Sequence, residues 1–313
     1  MKKNDSNIKK AIKYLNNNEC IAIPTETVYG LAANAYSKKA VSRIYKLKKR
    51  PKNNPLIVHY YNLNELKKDC EIDDVFNKLY RKFCPGPISF VLKLKKKSRI
   101  SKLVTNNTNN LAIRFPSHYL TRKLLKNINF PLAAPSANIS TSISPVSKQD
   151  VIDEFGYKIK FILDGGSSKI GLESTIINLV GKPQILRLGG IDRKLIYNSI
   201  NNLDKRNKKK NKIKVPGSDK LHYSPGIPVR LNAKKNYLNE AFILIRKRNE
   251  VNKNFFYLSK TNNLKEAAKN LYKTLRKIKK NGYEKIAVEK IPNTSIGEAI
   301  NDRILRASKI WEI

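Results

Sequence analysis

Cys20-Ile21-Ala22-Ile23-Pro24-Thr25-Glu26-Thr27-Val28-Tyr29-Gly30-Leu31-Ala32-Ala33-Asn34-Ala35-Tyr36 is the stretch whose reading decides the fold. Cys20 to Ile23 is a short apolar run, the pattern of a strand buried on both faces. Pro24 removes a backbone donor, so the strand opens into a loop there. The loop carries Thr25, Glu26, Thr27 and Tyr29, four side chains able to hydrogen-bond. Gly30 follows, as expected where backbone bends sharply or approaches a ligand. Ligands of open α/β sheets sit outside the carboxyl ends of strands, which makes this loop a candidate ligand site. The same residues also describe a turn whose hydroxyls cap the next helix.

Working outward, the 313 residues suffice for two domains, and 40% hydrophobic with 28% charged residues is the composition of a soluble globular chain. No apolar run approaches a membrane span, and Met1 to Ser6 lacks the apolar stretch of a signal peptide. Cys20, Cys70 and Cys84 form no Cys-x-x-Cys pair, which argues against a zinc site and a disulfide framework. The expected compartment is the cytoplasm. With 64 basic against 24 acidic residues the formal charge is +40. Two readings fit it: contact with RNA, or compositional drift in a chain also rich in Asn and Ile.

Helical spacing predicts a first helix capped by Asp5 or Ser6 and a second capped by Ser37. The second ends at Lys48-Lys49-Arg50-Pro51, before a polar loop and the strand Leu56-Ile57-Val58-His59. Lys48 and Arg50 read either as a solvated helix end or as a grip on polyphosphate. As loop cations they are expected to support no core. Strands are expected at Ile88–Leu92, Leu111–Pro116, Phe161–Leu163 and Gln184–Arg187. Arg114 ends a buried strand and needs an anionic partner, a core carboxylate or a substrate carboxylate held by a bidentate fork. Lys-rich residues 204–214 read as a linker. Alternating strands and helices beyond it imply a small parallel α/β domain.

Pro24 to Leu31 resembles the signature of the threonylcarbamoyl-AMP synthase family, the proteins with a YrdC-like domain. Lys48-x-Arg50-Pro51 with Asn54-Pro55-Leu56-Ile57-Val58-His59, Ser136-x-Asn138, and His222-Tyr223-Ser224-Pro225 carry the same resemblance. So does Ala299-Ile300-Asn301-Asp302-Arg303, from the second domain of the longer members. The resemblance implies a YrdC-like open twisted mixed sheet with flanking helices in residues 1–203. It further implies a linker or lid at 204–225 and a small Rossmann-like α/β domain at 226–313. The implied activity joins L-threonine, bicarbonate or CO2, and ATP into threonylcarbamoyl-AMP and pyrophosphate, with Mg2+ carried in by ATP. The product would pass to a downstream tRNA threonylcarbamoyl transferase. By the same resemblance Thr27, His59, Arg114 and Ser174 hold threonine. Lys48, Arg50, Asn54, Thr105, Ser136, Asn138, Ser144, Arg187 and Tyr223 bind ATP, with Lys48 and Arg50 stabilising the reacting phosphates. Thr105 lies in an Asn-rich loop where the family usually has a nearby Gly, and Arg187-Leu188-Gly189 replaces the family's Arg-Pro-Gly. Residues 215–225 are expected to fold over the site, with Tyr223 on ATP.

Neither a P-loop nor a Gly-x-Gly-x-x-Gly occurs, which disfavours P-loop NTPases and dinucleotide oxidoreductases. A carbamoyl-transfer maturation factor would require cysteine pairs that are missing. The alternative of another class is a non-catalytic RNA-binding module with a YrdC-like domain.

Overall fold

The computed structural model describes residues 2–200, 223–250 and 252–308. The apolar run becomes β1 (Ile21–Ile23), buried throughout. The chain leaves it at Pro24, turns through 25–29 and returns antiparallel as β2 (Gly30–Asn34), with Ile23 opposite Gly30. Gly30 therefore opens a strand, and the polar loop joins two strands rather than a strand and a helix. With β3 (Ile57–His59), β4 (Ile88–Lys93), β5 (Asn110–Arg114), β6 (Leu132–Ala133), β7 (Thr175–Asn178) and β8 (Gln184–Arg187), they form an eight-stranded sheet in the order β1-β2-β6-β3-β5-β4-β7-β8. The pairs β3/β5 and β4/β7 are parallel and the remaining neighbours antiparallel, the mixed sheet that was expected.

Alternation along the strands sorts side chains to two faces. Ile21, Ile23 and Ala32 pack against α1 (Lys2–Asn16) and α6 (Tyr119–Lys126). Ala22, Leu31 and Ala33 face the larger core, with Val41 and Ile44 of α2 (Lys38–Lys48) and Leu79 of α4 (Asp74–Phe83). Helix α2 starts as its sequence requires, the Ser37 side chain accepting from the Ala40 amide. Helix α1 begins at Lys2, earlier than an Asp5 or Ser6 cap would place it. Asp5 sits in its first turn, where an acid suits the helix dipole. The strand expected at Phe161–Leu163 reduces to one parallel bridge between Ala22 and Ile162.

Most of the 204–225 segment lies outside the described residues. Beyond it, β9 (Val229–Arg230), β10 (Glu240–Arg246), β11 (Phe255–Ser259) and β12 (Lys285–Val288) form a second, wholly parallel sheet, ordered β11-β10-β12-β9. Helix α9 (Leu264–Lys280) buries Ala267, Leu271, Leu275 and Ile278 on it, and α10 (Gly297–Ser308) follows β12. The two sheets do not keep separate cores. Val28, Ile143, Val146 and Leu172 of the first half share an apolar cluster with Ala268, Leu271 and Ile300 of the second. Short helices α3 (Leu63–Asp69), α5 (Lys102–Thr105), α7 (Lys148–Phe155) and α8 (Arg193–Tyr197) fill in between, and no helix among the described residues is long and apolar enough to cross a membrane.

Candidate active site

The 25–29 turn, the ends of β3 and β5, the 134–136 loop and the entry to β7 surround one pocket. Arg50, His59, Arg114, Ser136, Ser174, Arg187 and Tyr223 line it. Thr27, Lys48, Asn54, Asn138, Ser144 and Thr105 are not among its lining residues, but all except Thr105 are bonded to groups that are or to their chain neighbours. The Thr105 hydroxyl sits 3.4 Å from the Lys102 carbonyl, at the end of the short helix α5 (Lys102–Thr105).

His59 and Arg114 sit side by side because β3 and β5 are parallel in that register. Arg114 places one NH2 group 2.6 Å from Glu26 Oε1 and donates its NH1 group to Thr27 Oγ1 at 2.8 Å. The buried arginine thus has a core partner in Glu26, which the sequence reading left unassigned. Burial pushes the Glu26 carboxyl up, but the Arg114 charge and hydrogen bond outweigh it and hold the group below the usual carboxylate range. Thr27 is fully buried and orients Arg114, while the Thr25 hydroxyl ties the turn together by donating to the Val28 carbonyl at 2.6 Å. Two buried atoms in this corner, His59 Nδ1 and Arg114 Nε, have no hydrogen-bond partner. Burial, then the Arg114 charge, pushes the His59 pKa well below the usual imidazole range, so the ring is neutral.

Lys48 and Arg50 are not solvated loop cations. Lys48 is 1% exposed, and its ammonium donates to the carbonyls of Ser136, at 2.6 Å, and Asn138. Burial, reinforced by Arg50, pushes its pKa well below the usual amine range. Arg50 braces the next loop, donating to the Asn54 carbonyl at 3.0 Å, the Asn54 side-chain oxygen and the Pro55 carbonyl at 2.9 Å. Both residues are buried and hold backbone as well as charge, where loop cations supporting no core were expected. The reason is geometric: α2 ends in a left-handed Lys49, and the chain turns its cations inward.

The opposite wall is built on Glu173 and Ser174. The Ser174 hydroxyl lies 2.8 Å from that of Ser89 on β4, and the Ser174 carbonyl accepts from Arg187 Nε and NH2 at 3.1 and 2.9 Å. A Cβ on Gly189 would lie 2.3 Å from the Glu173 carbonyl, so only glycine lets the loop after Arg187 approach this closely. Glu173 is buried and accepts from Ser144 Oγ at 2.6 Å. Burial would raise its carboxyl, but Arg303 and Arg187 dominate and bring it down to about 2. Tyr223 is 1% exposed, and its backbone has a φ of 67°. The neighbouring Ser224 amide donates to the Thr141 carbonyl at 2.8 Å, pinning the end of the linker beside the pocket.

Glu173 was not read from the sequence as a site residue, since one acid beside a serine carries no local signal. Glu26 could have been found: Arg114 demanded a partner, and Glu26 is the one acid in the facing loop. Chemically, the pocket gathers three guanidiniums, a neutral imidazole and several hydroxyls, with its Glu173 carboxylate already paired and Glu26 paired to Arg114 behind the lining. Such a set suits an anionic, multiply hydrogen-bonding ligand.

The family model described as "Telomere recombination" matches residues 13–189, and that described as "Threonylcarbamoyl-AMP synthase, C-terminal domain" matches residues 184–309. The threonylcarbamoyl-AMP synthase of Pyrococcus abyssi is 34% identical over 96% of this chain and 94% of its own length. That of Bacillus subtilis is 33% identical over 97% of this chain and 94% of its own. The crystal structure of P. abyssi Sua5 complexed with L-threonine superposes with a TM-score of 0.88 at 33% identity, covering 96% of this chain and 94% of that one.

Proposed function

The chain belongs to the threonylcarbamoyl-AMP synthase family, and we infer that its pocket makes threonylcarbamoyl-AMP from L-threonine, bicarbonate or CO2, and ATP. What carries the reading at the level of chemistry is the charge of the site. Arg50, Arg114 and Arg187 converge on one pocket. In it the buried His59 Nδ1 and Arg114 Nε lack hydrogen-bond partners. Buried polar atoms left unmade cost about 1–3 kcal/mol each, which a polar ligand recovers.

In this reading Arg114 and His59 receive the amino acid, whose carboxylate answers the guanidinium that Glu26 only partly satisfies. Thr27 orients Arg114, and Ser174 offers a hydroxyl to the substrate. Arg50 and Arg187 face the phosphates of MgATP, Lys48 adds its charge from behind the Ser136–Asn138 loop that it holds, and Asn54, Ser136, Asn138 and Ser144 fix the surrounding loops. Threonine's amino nitrogen and CO2 form a carbamate. A carbamate oxygen attacks the α-phosphorus, the bond to the bridging oxygen breaks, and pyrophosphate leaves. The chain's contribution is alignment and neutralisation of the charge that develops on the phosphates. We assign no covalent nucleophile. The product is consumed by a tRNA-modifying transferase, and the setting is the cytoplasm.

The test is pyrophosphate release from ATP, omitting threonine or bicarbonate in turn. Strict dependence on all three is expected. Release indifferent to threonine would overturn the reading, and salt-sensitive RNA binding without turnover would favour the RNA-binding module.

A further inference from the structure

The second parallel sheet has no role in the chemistry just described, yet its two helices send side chains into the pocket wall. Arg303 of α10 has a fully buried side chain. Its Nε donates to Glu173 Oε2 at 2.8 Å, and one NH2 group donates to the Leu188 carbonyl at 2.8 Å. Its guanidinium carbon lies 4.9 Å from the centre of the Tyr223 ring. Asp302 takes its remaining arm at 2.6 Å. From α9, the Tyr272 hydroxyl reaches the Glu173 carboxylate at 2.9 and 3.1 Å, and its ring stacks on Tyr223 with centroids 5.8 Å apart.

Arg303 therefore grips three separate pieces of the wall at once: the residue before Ser174, the residue after Arg187, and the linker tyrosine. A tether between independent units needs no such contacts. Polar groups this deeply buried hold their geometry or lose their partners. We propose that Arg303, assisted by Tyr272, is a positioning residue of the active site, and that the second domain exists in part to supply it. In that role it sets where Ser174, Arg187 and Tyr223 stand relative to the opposite wall of Arg50 and Arg114. The proposal rests on the synthase reading of the pocket.

Removing the Arg303 charge has a second consequence. Glu173 is faced by Arg303 and Tyr272 from the second domain, and by Arg187, Ser144 and Tyr223 from around the pocket. Without Arg303, the ionised carboxylate has Arg187 as its remaining cation and draws it away from its place. The defect should therefore deepen as pH rises.

The experiment uses the full chain, with wild type required to release pyrophosphate in a threonine-dependent way, so that failure of the synthase reading shows separately. Arg303→Met keeps bulk against Tyr223, Arg303→Lys keeps charge without the fork, and Tyr272→Phe removes one hydroxyl but keeps the stacked ring. Circular dichroism reports folding. Expected are a loss of about a hundredfold in kcat/KM for Arg303→Met, since misplacement of a wall by an ångström costs about that much, and partial recovery with Lys. The ratio of Arg303→Met to wild-type turnover should fall with rising pH, and that dependence should vanish when Glu173→Gln is added. Tyr272→Phe should lose several-fold, which keeps the proposal testable if Arg303→Met does not fold. Folded Arg303→Met within twofold of wild type, a pH-independent ratio, or unaltered turnover in Tyr272→Phe would each overturn the proposal.

Discussion

Arg114→Met separates the two jobs that the structure gives to one side chain. In the folded protein Arg114 and Glu26 are 2.6 Å apart, with side chains 5% and 8% exposed. Removing one member of such a pair leaves a buried charge without its counterion, a loss of about 3–5 kcal/mol. Against a total stability of about 5–15 kcal/mol, that is a large fraction. For a domain of this size it corresponds to a fall in Tm of roughly 10 °C. The sign with pH follows from the partner. In wild type Arg114 holds Glu26 below the usual carboxylate range, so its stabilising contribution is present above the unfolded pKa and is lost as pH falls through the folded value. In the variant burial, the largest influence, is opposed only by backbone hydrogen bonds such as that from the Ser117 amide and raises Glu26, so stability should instead fall as pH rises and the unpaired carboxyl ionises. Adding Glu26→Gln removes the charge and should restore most of the Tm, because an amide oxygen still accepts from the Ser117 amide that now bonds Glu26 at 3.0 Å. Threonine use should not return, since the guanidinium is still missing. Thermal melts across pH and the threonine KM of single and double variants decide the matter. A single variant as stable as wild type would refute the ion-pair accounting, and a double variant with wild-type threonine KM would refute the substrate role.

Three more expectations follow from the same geometry. Serine should replace threonine better than valine does in pyrophosphate release, because Ser174 and its neighbours lose a polar partner when the substrate hydroxyl is absent; equal use of valine would remove that assignment. Lys48, its pKa depressed by burial and Arg50, should take up a proton when a polyphosphate arrives. Calorimetry of ATP binding in buffers of different ionisation enthalpy should show uptake at alkaline pH, absent in Lys48→Met. Glu173, at about 2 when folded against the ordinary value of 4.5, contributes stability above the unfolded value worth about 3 kcal/mol. That contribution should be lost between roughly pH 4.5 and 2, and acid melts of Glu173→Gln should lack this component.

Much of the fold was legible because it is written locally. Ile21–Ile23, Ile57–His59 and the helix from Leu264 announce themselves by apolar period, and Ser37 caps α2 as its chemistry requires. What stayed hidden depends on partners far along the chain. Glu173 meets Tyr272 and Arg303 across 99 and 130 residues, and no window of sequence holds both ends. The same holds for Lys48, whose burial comes from carbonyls 88 and 90 residues away. A lysine at a helix end looks solvated until the loop that covers it is in place. The Phe161–Leu163 run meets β1 at a single bridge, the Ala22 amide donating to the Phe161 carbonyl and the Leu163 amide to the Ala22 carbonyl, a pairing that depends on a residue some 140 positions away.

Gly171 carries one more consequence. Its φ is +77°, its amide donates to the Thr27 carbonyl at 3.1 Å, and a Cβ added there would lie 2.6 Å from the Lys269 Cα on α9. The missing methyl is thus a spacer of zero thickness between the halves of the molecule. Any side chain at this position acts as a wedge, levering α9 outward by about the width of the atoms it inserts and lifting Tyr272 off Glu173. A change at residue 171 would therefore read in an assay like damage to the catalytic wall, although the residue carries no chemistry of its own.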